Sequence, residues 1–371
     1  MSSEPAVDAP FLEQLRSFVA RGVDHPGFDA PAVVSETVIR QMVDAVGDRN
    51  PIYTDAAAAR ATLHGGVVAP PLWLYSWMMA GLGMEHEEAV LADGTRLFRA
   101  APAGQKRSNP TAPTIRDELN ALLASRGFAS PVVTEMTYRI ERYLRPGERL
   151  RFSSWIVDDI AGPKTTKIGV GFFVTLRLEV FVGDERVASM VQRYLRAKPQ
   201  ADTETPGSVR APAPVPVSTE PDIASWRPVA ASTLTRGFDA ISPGEQLPDL
   251  VVDLSPTMII AGALASQDFQ DVHHDFLMSA QRGHPTIFMN MMTLSGLVSR
   301  FVTDWTGPDC IVRAHTLRLG RPNYAGDKLR LSATVAETVV QQGRRQVKLE
   351  FVGHNSLGKA IDGDLLVEFP R

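Results

Sequence analysis

The sequence predicts an α+β chain of two similar units, each an antiparallel sheet wrapped around a central helix. Three observations carry that prediction. A proline-rich stretch divides the chain near its middle. The same order of helix signals occurs on both sides of it. Each half then turns to strands whose apolar residues alternate.

The divider comes first. Residues 199–221 read PQADTETPGSVRAPAPVPVSTEP. Such a composition buries little and favours extended chain, so it reads as a linker; an ordered arm lying along the units is the alternative. The predicted organisation is a first unit over 1–198, a linker over 199–247 and a second unit over 248–371. A length of 371 residues suits two or three domains.

The helix signals repeat closely. Ser35 opens SETVIRQMVDAVGD and Ser255 opens SPTMIIAGALASQD. Each Ser is predicted to cap a helix, and Pro256 suits a first helical position. Val38, Met42 and Val46 have helical spacing. Asp48 follows Ser35 by 13 residues, as Asp268 follows Ser255. Seven residues further on, Asp55 and Asp275 head short helices. An apolar stretch comes next in each half, over 70–84 and 287–305. The second, containing MNMMTLSGLVSRFVTDW, is long enough for a core helix. Its Met and Leu residues read as packing.

Strands complete each half. Residues 138–144 lead into the turn Pro146-Gly147-Glu148, and 315–319 lead towards Ala325-Gly326-Asp327. Ile168, Val170, Phe172, Val174, Leu176, Leu178, Val180 and Val182 alternate strictly, which predicts a strand with one buried face. Val347, Leu349 and Phe351 alternate likewise, as do Leu365, Val367 and Phe369. Asp48 stands 99 residues before Gly147, whereas Asp268 stands 58 before Gly326. The first unit therefore carries an insertion within about 85–130, of a length that often forms a lid or binding loop; a neutral surface excursion is the alternative.

Composition narrows the function classes. Hydrophobic residues make up 44% and charged residues 22%, as in soluble globular proteins. A net charge of -4 points to no nucleic-acid or anionic-membrane partner. Cys310 is the single cysteine, which excludes an internal disulfide and a zinc ribbon and suits a reducing cytoplasm. The opening MSSEPAVDAP lacks a basic region followed by an apolar one, so no secretory leader is expected. The apolar run from Val67 to Leu74 contains two prolines and is too short to span a bilayer. Gly169 to Phe173 lie inside the alternating strand, so they form no phosphate loop.

Asp268 and His273 are the chemical candidates. They stand five residues apart in SQDFQDVHHD, just after a predicted helix. A histidine and a carboxylate sharing one water can take its proton and return a proton to carbon. A capping Asp and a surface His would give the same letters. Backbone amides at a helix start would stabilise a developing oxyanion, which singles out Met289 and Asn290, with Gly283 as a substrate-orienting position. Arg318, Arg321 and Lys328 lie around a strand and its turn, where they could meet phosphates; a solvated basic face is the alternative. A metal would need three or four converging ligands, and His274 with Asp275 reads more simply as a loop His before a capping Asp. His64, His284 and His315 read as packing or surface residues.

These segments resemble the R-specific enoyl-CoA hydratases, the MaoC-like dehydratases of hot dog fold, whose signature is D-x-N-P-[LIV]-H. Asp48-Arg49-Asn50-Pro51-Ile52-Tyr53 fits it except at its last position. Asp268 and His273 fit its ends, with Gln270 and Asp271 in place of Asn and Pro; at the family's Asn position, Gln270 could still hydrogen-bond and orient the substrate and the site. AVGDRNPIYTDAAAAR and GGVVAPPLWLYSWMMAGLG look like the larger subunit of actinobacterial steroid side-chain enoyl-CoA hydratases. ASQDFQDVHHD and RGHPTIFMNMMTLSGLVSRFVTDW look like the smaller, catalytic subunit. The resemblance implies a double hot dog in one chain, a lyase that hydrates 2-enoyl-CoA through Asp268 and His273. It implies an inactive first copy. It also implies an incomplete first-unit helix that leaves room for a bulky acyl group, which Pro70 and Pro71 would suit. Coenzyme A would enter as part of the substrate, with no separate cofactor or metal. Arg318, Arg321 and Lys328 would meet its phosphates. A cytoplasmic homodimer is expected. Thioester hydrolysis, dehydration of a carrier-protein thioester and non-catalytic acyl-CoA binding are the rival readings.

Overall fold

The computed structural model describes residues 7–21, 26–79, 81, 84–102, 114–166, 168–198 and 234–370. Most of the expected linker, residues 199–233, lies outside them, as does the part of the expected insertion over 103–113.

In the first unit the order is α1 (Ala9–Arg16), β1 (Phe28–Asp29), α2 (Glu36–Val46) and α3 (Ala56–Arg60), then a 3-10 helix over Pro71–Met78. A hairpin follows, β2 (Met84–Val90) and β3 (Arg96–Pro102), and then α4 (Ile115–Ser125). The strands β4 (Ser130–Ile140), β5 (Leu150–Phe152), β6 (Ile156–Thr166), β7 (Gly169–Val182) and β8 (Glu185–Lys198) close the unit. The second unit runs β9 (Leu250–Asp253), α5 (Pro256–Ala265), α6 (Phe276–Gln281), α7 (Met291–Thr306), β10 (Ile311–Leu319), β11 (Lys328–Gln341), β12 (Arg344–Asn355) and β13 (Gly358–Phe369).

The repeated helix signals act as caps in both units. Ser35 Oγ accepts from the Val38 amide at the start of α2, and Ser255 Oγ accepts from Met258 at the start of α5. Asp55 and Asp275 each accept from two amides at the starts of α3 and α6. Each such cap contributes about 1 kcal/mol.

The alternating residues line one face of the sheet. Phe172, Val174, Leu176, Leu178 and Val180 of β7 are buried, as are Val347, Leu349, Phe351, Leu365, Val367 and Phe369. Removing each of these from water stabilises the fold by roughly 1.5–3 kcal/mol. The two expected sheets join edge to edge. The strand order is β1-β5-β7-β8-β4-β10-β13-β12-β11-β9, with β6 on β7, and the pairing of β4 with β10 makes the seam. At that seam Tyr138 stands opposite His315.

The concave face holds different helices in the two units. In the second it is α7, 16 residues long and mostly buried. In the first it is the eight-residue 3-10 helix that begins at Pro71. Two successive prolines withhold two amide donors there, which disfavours a longer helix. The two helices pack directly. A Cβ built on Gly296 would lie 2.3 Å from the Trp73 indole nitrogen, so only glycine admits that ring.

The insertion brings the β2–β3 hairpin and α4. Thr114 caps α4 in a reciprocal box with Asp117, and Ile115, Leu119 and Leu123 bury its apolar side. The end of the expected linker rests on the second unit: Gly244 and Leu247 donate to the Val335 and Ala333 carbonyls of β11. No helix among the described residues is long and apolar enough to cross a membrane.

Candidate active site

The Asp268 loop is built by the end of α5. Gln267 takes a left-handed conformation (φ +58°) and its side chain donates to the Leu264 carbonyl. The Asp268 amide then bonds back to the Ala263 carbonyl at 3.0 Å. One 3-10 turn, Asp271–His273, carries the chain to the histidine. Asp271 occupies the position of the signature proline and pairs with Arg282 at 2.7 Å.

His273 is oriented from behind. Its Nδ1 lies 2.8 Å from the Phe288 carbonyl, an oxygen that can only accept. Nδ1 therefore carries a proton and donates, and in the neutral ring Nε2 presents its lone pair. Nε2 stands 3.5 Å from Asp268 Oδ2, with both side chains 6–7% exposed. That separation is long for a direct bond. The Phe288 ring packs edge-on against the imidazole at 4.9 Å.

Gln270 comes near Asp268 without gripping it. Its amide nitrogen and its side-chain Nε2 both lie 3.5 Å from Asp268 Oδ1. Asn290 caps α7 by accepting from the Thr293 amide at 2.9 Å. It also donates to Ser266 Oγ at 2.7 Å. The start of α7 is thereby tied to the end of α5, beside the Asp268 loop.

Two expected oxyanion donors are engaged elsewhere. The Met289 amide donates to the Asn323 carbonyl at 2.9 Å, and the Gly283 amide donates to Ala280 at the end of α6. Neither N–H is free for a ligand. Among the described residues the amides of Asn290 and Met291 have no acceptor, and they sit at the positive end of α7.

The basic trio divides similarly. Arg318 faces three carboxylates, Glu135 at 3.0 Å, Asp362 at 3.5 Å and Asp364 at 3.8 Å. Lys328 pairs with Asp253 at 2.7 Å. These two are neutralised locally and make poor phosphate ligands. Arg321 is exposed and has no carboxylate partner among the described residues. It lies in the turn that carries Tyr324.

A second histidine, which the sequence alone marks as packing or surface, stands behind this site. His284 Nδ1 lies 3.0 Å from the Tyr324 hydroxyl, and its ring is 4.8 Å from Phe288. Burial holds its pKa below the ordinary histidine range, and the neighbouring His273 adds to that. Burial raises Tyr324 to about 12. The two residues belong to separate loops, so their letters carried no joint signal. His64 stacks on Tyr143 and is buried, and His315 is fully buried at the seam. No group of three or more His, Cys, Asp or Glu side chains fit to hold a metal occurs among the described residues.

A family model described as "FAS1-like, dehydratase domain region" matches residues 25–103. The alpha subunit of 3-oxo-4,17-pregnadiene-20-carboxyl-CoA hydratase from Mycobacterium tuberculosis is 34% identical over 212 residues, 57% of this chain and 57% of that subunit. The beta subunit of the same hydratase is 46% identical over 118 residues, 32% of this chain and 88% of that subunit. The chain thus spans little more than half the length of the alpha subunit. A solved MaoC-like dehydratase has the same fold, with a TM-score of 0.65 at 19% identity over 96% of this chain and 100% of that one.

Proposed function

The chain belongs to the MaoC-like enoyl-CoA hydratase family, with two hot dog units in one polypeptide, and on that premise we propose that it adds water across a 2-enoyl-CoA at Asp268 and His273. The observation that carries this reading is the tautomer imposed on His273. The Phe288 carbonyl holds the proton on Nδ1, which leaves the Nε2 lone pair facing Asp268 in a nearly dry loop.

A water held between Nε2 and Asp268 gives its proton to Nε2 while its oxygen bonds to the β-carbon. The π electrons move to the thioester oxygen as an enolate. The amides of Asn290 and Met291, at the start of α7, receive that charge. The imidazolium, faced by Asp268, then delivers its proton to the α-carbon. Reversal of these steps is the dehydration. Gln270 offers Asp268 a polar neighbour at 3.5 Å, and Arg321 meets the phosphates of coenzyme A.

The first unit corresponds to the relatives' alpha subunit and shapes the acyl pocket; the second corresponds to the catalytic beta subunit. The short 3-10 helix of the first unit supports a bulky, steroid side-chain-like acyl group, the class the relatives' names print. A single cysteine, Cys310, which can form no disulfide within the chain, suits the cytoplasm. Two chains associate as a homodimer, which the mass in solution checks.

The test follows loss of enoyl-thioester absorbance with crotonyl-CoA, a medium-chain enoyl-CoA and a steroid side-chain enoyl-CoA. Turnover that favours the steroid ester, and is abolished in Asp268→Asn and His273→Ala, is expected. Turnover on short chains only would remove the bulky acyl group. Release of free coenzyme A would replace hydration by hydrolysis. Absence of any turnover in folded protein would overturn the reaction itself.

A further inference from the structure

Two buried polar side chains of the second unit form a bond for which the first unit has no counterpart. Ser35, Asp48 and Asp55 stand 220 residues before Ser255, Asp268 and Asp275 respectively. At the same offset Val46 corresponds to Ser266 and Pro70 to Asn290. The backbone keeps that correspondence. The Asp48 amide donates to the Val43 carbonyl as the Asp268 amide does to Ala263, and the Ala69 amide donates to Leu144 where Met289 donates to Asn323.

Ser266 and Asn290 are 0% and 2% exposed, and Asn290 Nδ2 donates to Ser266 Oγ at 2.7 Å. The helix cap fixes which end of the Asn290 amide faces the serine. Its Oδ1 accepts from the Thr293 amide at 2.9 Å, and a backbone N–H can only donate. The serine proton goes in turn to the Gly262 carbonyl at 2.7 Å, one turn back along α5. Each side chain is thus held by two bonds. The helices meet at this point: a Cβ built on Gly262 would lie 2.2 Å from Thr293 Oγ1.

The first unit closes the same frame with two apolar residues, since Val46 and Pro70 are also buried. Replacing both partners of a buried hydrogen bond by apolar groups costs a fold little. Stability alone therefore does not call for the polar pair. It occurs only in the unit that carries the acid–base residues. Ser266 lies two residues before Asp268, and Asn290 supplies one of the two amides at the start of α7 that have no acceptor among the described residues. The bond between them sets the distance from the acid–base loop to those amides.

We infer that Ser266 is a positioning residue: through Asn290 it aims the amides of Asn290 and Met291 at the thioester oxygen as charge develops there. The inference rests on the hydratase reading. Without the serine hydroxyl Asn290 keeps its cap and loses its second anchor. A misplacement of about 1 Å in such a site costs up to roughly a hundredfold in rate.

Steady-state rates of Ser266→Ala and Asn290→Ser, on the enoyl-CoA ester that the unaltered protein turns over fastest, test this. A serine at position 290 still caps α7 and keeps its backbone amide, but it is too short to reach Ser266. Each variant should lower kcat roughly ten- to a hundredfold, short of the roughly 10²–10³-fold lost with a whole oxyanion donor. KM should stay within about threefold, because the amides act on the transition state. The double variant should be no slower than the slower single one, since both changes break the same bond. Multiplied losses in the double variant would overturn the inference. So would an unchanged kcat beside a lowered melting temperature, the result expected of a merely structural tie. Acetoacetyl-CoA supplies a readout without turnover, because its enolate absorbs in the near ultraviolet. The unaltered protein should hold a larger enolate fraction than Ser266→Ala, and equal fractions would also overturn the inference. Hydration by the unaltered protein reads the reaction itself, so full rates in both variants beside active hydration would sink this inference alone.

Discussion

The loop from Asp48 to Tyr53 and the loop from Asp268 to His273 hang from equivalent helices, α2 and α5, and each closes in one 3-10 turn. Their chemistry differs. Asp48 Oδ1 accepts from the Asn50 amide at 2.9 Å, and Asn50 Oδ1 accepts from Ile52 at 3.2 Å. Tyr53 is buried, and its hydroxyl has no hydrogen-bond partner. Burial drives that phenol well above its ordinary range, and the nearby Asp48 adds to the shift. Such a group neither takes nor gives a proton at neutral pH. In the second loop an imidazole stands in the same position with a lone pair towards its carboxyl group.

The surroundings complete the contrast. Arg300 of α7 donates to the Val46 carbonyl, at the end of α2. Burial, with Asp304 nearby, raises Asp48 to about 7. The first loop thus holds a carboxylic acid packed as part of the structure. The two loops share their frame, and the exchange of histidine for tyrosine at its end removes from the first the group that could take a proton.

The largest expected effect separates the loops by turnover. Asp268→Asn should lower kcat by roughly 10²–10⁴-fold, the range for losing a positioned acid–base group. Asp48→Asn should leave kcat within twofold to threefold (about 0.5 kcal/mol). Initial rates on one enoyl-CoA ester measure both. Comparable losses in the two variants would restore a catalytic role to the first loop.

Stability should separate them in the opposite sense. Asp48 has a folded pKa raised from 3.8 to about 7. Between those values the folded chain binds the proton more tightly than the unfolded chain does. The contribution of Asp48 is therefore fully present below pH 3.8 and is lost as pH rises through 7. Three pKa units correspond to about 4 kcal/mol, an upper value. Asp48→Asn should therefore stabilise the protein more at pH 8 than at pH 4, by up to about 4 kcal/mol. Urea denaturation at the two pH values reads the difference. A gain independent of pH would mean that Asp48 is not a buried acid.

Much of this was legible because it is local. The caps Ser35, Ser255, Asp55 and Asp275 act within three residues of themselves, and strand alternation reports burial directly. Asp268 and His273 share one short loop. What could not be read depends on chain brought from afar. The β4–β10 seam pairs Tyr138 with His315, and Arg318 meets Glu135 across it. Met289 loses its free amide to Asn323 of another loop. His284 meets Tyr324, and Asn290 meets Ser266. In each case the partner, rather than the residue, decides the role.

The smallest expected effect asks whether Gln270 is a weakened copy of Asn50 or a residue with its own task. Asn50 caps its turn with its side chain, whereas Gln270 caps nothing and leans towards Asp268 at 3.5 Å. Its side chain is one methylene longer, which carries the amide past the capping position. Gln270→Asn should restore the cap and stabilise the protein by about 0.5–1 kcal/mol. Contacts as long as 3.5 Å are weak, so kcat should change by less than roughly tenfold. Thermal unfolding and initial rates together read both effects. A larger loss of kcat with the cap restored would mean that the second loop traded local stability for control of its carboxylate, a difference between the two loops beyond the exchange of histidine for tyrosine.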